Sequence, residues 1–70
     1  MTEVQTKLLH LVQRLRTTTT AELAPFIARQ PGRESNHKHS AWVLGQLYEL
    51  KVLGHIRIQQ YGPPIVWAAD

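Results

Sequence analysis

The amino-acid sequence predicts a small α+β fold, three helices followed by a two-stranded β-hairpin, in a single domain over residues 1–70. Three observations carry this. Apolar residues near the N-terminus recur at helical spacing. A Thr-x-x-Glu signal and a Ser-Asn pair then open two further segments with helical character. Beyond Gly54 the pattern switches to alternation on either side of a Tyr-Gly-Pro-Pro turn.

The first helix is expected over about 3–16. Val4, Leu8, Leu11, Val12 and Leu15 form one apolar stripe, with Lys7, His10, Gln13 and Arg14 on the other side. It ends where four β-branched residues follow, Thr17 to Thr20, because such a run favours caps and extended backbone. The second helix, about 20–29, starts at a capping box in which Thr19 and Glu22 satisfy each other's free backbone N–H groups. Leu23, Ala24, Phe26 and Ile27 are its apolar residues. Pro25 removes a donor and is expected to kink or tighten it, and Gln30-Pro31-Gly32 stops it.

The third helix, about 36–53, can be capped by Ser35 or Asn36, and Val43, Leu47 and Leu50 form its inner stripe. Gly54 follows as a C′ residue. Strands are expected over about 55–59, where Ile56 and Ile58 alternate with Arg57, and over about 65–68. A hairpin is not stable alone, so Ile56, Ile58 and Trp67 are expected to pack on the helices.

Composition narrows the function classes. The chain has no cysteine, which excludes disulfides, thiolate-ligated metals and a Cys nucleophile. A domain of this size buries only about 60% of its unfolded surface, so it depends on a tight core or on a partner. The charged fraction is 19% and the hydrophobic fraction 43%, which argues against disorder. No apolar run approaches a membrane span, and Met-Thr-Glu lacks the order of a signal peptide, so a soluble cytoplasmic chain without membrane contact is expected. The formal charge of +3 matters less than its distribution: Arg29, Arg33 and Lys38 cluster with His37 and His39, opposed only by Glu34.

The run Leu47-x-x-Leu50-x-x-Leu53-Gly54-x-Ile56 resembles the passage from recognition helix to first wing strand in bacterial winged helix-turn-helix domains. Thr19-Thr20-Ala21-Glu22-Leu23-Ala24 resembles the start of that fold's second helix. The resemblance runs from Val4 to about Ala69. Among short members, the chain is similar to the fimbrial-operon regulators of the pap and fae type. This implies a DNA-binding transcription regulator, commonly dimeric, with the third helix in the major groove and the two-stranded hairpin as a wing.

Phosphate contacts need cations, and base reading needs polar side chains on the outer face of the third helix, mainly near its N-terminus. Arg29, Arg33, Lys38 and Arg57 are the candidate phosphate contacts. The polar first turn, Asn36-His37-Lys38-His39-Ser40, is the candidate base reader, and protonation of His37 and His39 would add charge to the footprint. Each group has a plainer reading, a solvated edge for the cluster and the polar side of a strand for Arg57.

Further along, the outer face holds Ala41, Trp42, Leu44 and Gly45, an unusually apolar set for a reader. Ala41 and Trp42 suit thymine methyls, and Gly45 suits close approach of a backbone or another helix. Ala41, Trp42 and Gly45 equally suit an interface with a second copy or another protein, and Trp42 also suits packing against the Gln30–Ser35 loop. The alternative function is therefore a protein-interaction module on the same fold.

Enzyme chemistry has little support. Asp70 is the only aspartate, Ser35 and Ser40 lack a nucleophile context, and the glycines are isolated. No cofactor or metal is expected either. His37 and His39 lie about 200° apart on a helix, so their rings diverge.

Overall fold

The computed structural model describes residues 1–70. It is an α+β fold with helices α1 (Glu3–Leu15), α2 (Thr20–Leu23) and α3 (Asn36–Val52) and strands β1 (Thr17–Thr19), β2 (Ile56–Gln60) and β3 (Val66–Ala69). The strands form one antiparallel sheet in the order β1-β3-β2. No helix is long and apolar enough to cross a membrane.

Each helix end has a local cause. Thr2 caps α1: its side chain accepts from the Gln5 backbone N–H while Gln5 accepts from that of Thr2. Thr19 and Glu22 form the expected second box. Ser35 caps α3 by accepting from the Lys38 N–H. At the other end of α3, Gly54 has φ +86° and its N–H donates to the Lys51 carbonyl, while the His55 N–H donates to that of Leu50. This double closure needs a left-handed residue, which glycine adopts without a Cβ penalty.

Two expectations about the elements are corrected. The sheet has three strands, not the two of a hairpin, because part of the threonine run joins it as β1. Thr17, Thr18 and Thr19 face Ala68, Trp67 and Val66, and this pairing covers the edge of β3 that a hairpin leaves open. The second helix does not reach residue 29. After Leu23 the chain tightens into a single 3-10 turn, Ala24–Phe26, and Ile27 is already extended. Pro25 is the cause, since it has no N–H to donate and its fixed φ suits a tight turn.

The core is built from both helical stripes and the sheet. Leu8 and Val12 of α1, Leu23 of α2, and Val43, Leu47 and Leu50 of α3 are fully buried, and Ile56 and Trp67 close over them. Trp67 is the largest buried side chain. Its indole N–H donates to Thr20 Oγ1 at 3.0 Å, and Tyr48 meets its ring edge-on at 5.3 Å. Leu15 and Phe26, expected inside, are exposed; each is the last residue of its element, at the edge of the packed layers.

One inner position was not legible as such. Gln5 is buried in the α1 stripe beside Leu8, and its amide donates across to Gln46 Oε1 and to the Glu49 carboxylate of α3. A buried amide costs little when its groups are paired, and this one ties α1 to α3.

Candidate functional site

The irregular segment from Ala28 to Ser35 carries the chain from the 3-10 turn to α3. Arg29 holds it in place. Its guanidinium donates to the Glu34 carbonyl and, at 2.6 Å, to Asn36 Oδ1. Arg29 and Asn36, both expected to contact DNA, are thus exposed but engaged with each other across this segment. The consequence is local order: the loop is latched onto the first turn of α3.

Arg33, His37 and Lys38 remain, and all three are exposed. They border one open depression of about 850 Å³, with Trp42 and Ala41 in its middle and Gln46 and Glu49 at the far end. A second depression, of about 400 Å³, lies on the other side of α3. Thr20, Ser40, Leu44, Pro64 and Ile65 line it. His37 and Ala41 border both depressions, so they form the crest of α3 between them.

His39 is a correction. It was expected to face DNA beside His37, but it is 3% exposed. Two residues on a helix are about 200° apart, so one ring of the pair faces solvent and the other faces inward. The inward ring meets the 3-10 turn: His39 Nε2 donates at 2.8 Å to the Ala24 oxygen, which also accepts from the Ile27 backbone N–H at 3.1 Å. The other ring nitrogen, Nδ1, is buried without a partner. His39 therefore braces α3 against the 3-10 turn and is not available to a ligand. Of the pair, only His37 presents its ring at the crest of α3.

Trp42 and Leu44 are half-buried against the core, so the apolar outer face of α3 is smaller than expected. Ala41 and Gly45 are its exposed part. A Cβ placed on Gly45 would meet nothing within 4 Å, so packing within the chain does not require glycine there. Larger exposed apolar groups lie elsewhere, in Val52 and Leu53 at the C-terminal end of α3 and in Tyr61 at the β2–β3 turn.

Arg57 lies on β2, opposite Ala68 of the central strand. Its guanidinium Nε is 3.8 Å from an Asp70 carboxylate oxygen, and both side chains are about half exposed (58% and 48%). Such a pair contributes little to stability, but it offsets part of the charge Arg57 offers to a phosphate. The structure thus gathers Arg33, His37 and Lys38 into one surface, leaves Arg57 apart from it, and removes His39. Comparison with protein-family models, with curated proteins and with solved structures returned no match.

Proposed function

We propose that the chain is a DNA-binding transcription regulator of winged-helix type, which presents the first turns of α3 to the major groove of double-stranded DNA. One observation carries the reading: Arg33, His37 and Lys38 are exposed together at the open N-terminal end of the longest helix. The three-helix arrangement with an antiparallel sheet is compatible with such a fold.

In this reading Arg33 and Lys38 contact phosphates, which position the protein without reading sequence. His37 and Ala41, on the crest of α3, reach base edges, with the imidazole as a polar reader and the methyl group suited to thymine. Ser40 flanks them on the side of the β2–β3 turn. Arg57 is an outlying phosphate contact weakened by Asp70. The alternative, a protein-docking module built on Ala41, Trp42 and Gly45, has lost surface, because Trp42 is half-buried.

The test is anisotropy titration of a labelled duplex at several salt concentrations. Wild-type affinity is expected to fall steeply with salt. Replacing Arg33 and Lys38 by Ala is expected to weaken binding to all sequences and reduce the log–log salt slope by about 2, roughly 0.9 per phosphate contact. Duplex binding that is absent, or unchanged in the double variant, overturns the assignment.

A further inference from the structure

We propose that the depression beside α3 holds one unpaired nucleotide, its base stacked on Trp42 and its phosphate held by Arg33 and Lys38. The inference rests on the nucleic-acid reading of these cations and adds a single-stranded element to it.

The depression has the order of parts that a nucleotide has. Cations stand at one end, an aromatic ring in the middle and hydrogen-bonding groups at the other end. Lys38, Trp42 and Gln46 follow at i, i+4 and i+8 on α3, so they form one row with a step of about 6 Å. Gly45 and Ala41 lie beside that row. The open space over Gly45 leaves room for a flat ring against the indole.

The far end is already oriented. Gln5 donates its amide to Gln46 Oε1 and to one oxygen of Glu49, and these bonds commit both acceptors to α1. The NH₂ donor of Gln46 and the second oxygen of Glu49 make no hydrogen bond within the chain. A donor beside an acceptor complements a base edge that carries both.

A base inside a duplex has its faces covered by its neighbours, so only an unpaired base offers one to Trp42. An acidic peptide also suits Arg33 and Lys38, but the Asp and Glu side chains that would meet these cations carry no ring for Trp42, whereas a nucleotide joins anion and ring in one unit. Charge and shape together therefore favour the nucleotide.

The experiment titrates the full chain with a ten-nucleotide mixed-sequence single strand and with the corresponding blunt duplex. Intrinsic tryptophan fluorescence and strand anisotropy are both read. Trp67 is fully buried and Trp42 is not, so stacking reports through Trp42. The single strand is expected to quench the unmodified chain. Trp42→Leu is expected to weaken single-strand binding about tenfold or more, the scale of one base–aromatic stack, with Trp42→Phe restoring most of it and duplex affinity unchanged. The quench is read on the unmodified chain, so it decides the matter even where a variant does not fold. Duplex binding without any single-strand quench overturns this inference and leaves the duplex reading standing. Binding to neither probe overturns both. Equal losses for strand and duplex in Trp42→Leu, or the same quench from a poly-glutamate peptide, also overturn it.

Discussion

The two tryptophans have opposite surroundings in one small molecule. Trp67 sits on the central strand, fully buried, with its N–H on Thr20 and its ring against Tyr48. Trp42 sits on the outer side of α3, half-buried, beside three basic or imidazole side chains and an open depression. Burial of the first holds helices and sheet together. Partial exposure of the second leaves part of its side chain outside the core. The same residue type is a structural keystone in one region and a surface feature in the other, because one lies between layers and the other at the rim of one.

The largest effect that sharpens this contrast is Trp67→Ala. Emptying such a site costs about 3–5 kcal/mol, comparable to all the stability a core of this size supplies. Far-UV circular dichroism and urea titration are expected to show a largely unfolded chain, whereas Trp42→Ala is expected to keep a cooperative transition. Similar losses at both positions would break the comparison.

The histidine pair divides in the same way, with a smaller effect. His39→Ala removes one of the two donors to the Ala24 carbonyl, the Ile27 N–H remaining, which costs about 0.5–1.5 kcal/mol for the hydrogen bond, and it also empties the space of a buried ring. His37→Ala touches only an exposed side chain and is expected to stay within about 0.5 kcal/mol of wild type in urea unfolding. If His37→Ala proves the more destabilising, the bracing role assigned to His39 is wrong.

Gly45→Ala carries the smallest effect, and its sign is reversed. The added methyl group meets nothing, and alanine is the better helix former, so stability is expected to rise by about 0.5–1 kcal/mol. A raised melting temperature checks it. A lowered one means that α3 is packed at Gly45 by something other than this chain.

Much of the fold was legible residue by residue. The Thr19–Glu22 box, the Ser35 cap, Gly54 after α3, and the Val43–Leu47–Leu50 stripe all rest on interactions within a few positions, and all are present. The candidate site was legible in part. Arg33, His37 and Lys38 do share one surface, as their closeness in sequence implies. Arg29 and Asn36 are drawn into each other by a loop whose path local pattern does not specify. Gln5 carries no local signal of its role, because a polar residue on an apolar stripe shows no partner until α3 is laid across α1.

Local sequence set where the three helices begin, where α1 and α3 end, and which stripe of α1 and α3 turns inward, since capping and periodicity act within one or two turns of chain. Tertiary structure alone decided three things. It made a strand of Thr17–Thr19, because a three-residue segment has no strand identity until the edge of β3 is placed beside it. It buried His39, because the Ala24 carbonyl that its ring meets belongs to a turn packed against α3 from 15 positions away in the chain. It half-covered Trp42 and set it over an open space, because helical spacing gives a residue's direction, while its neighbours across the fold set how far it is enclosed.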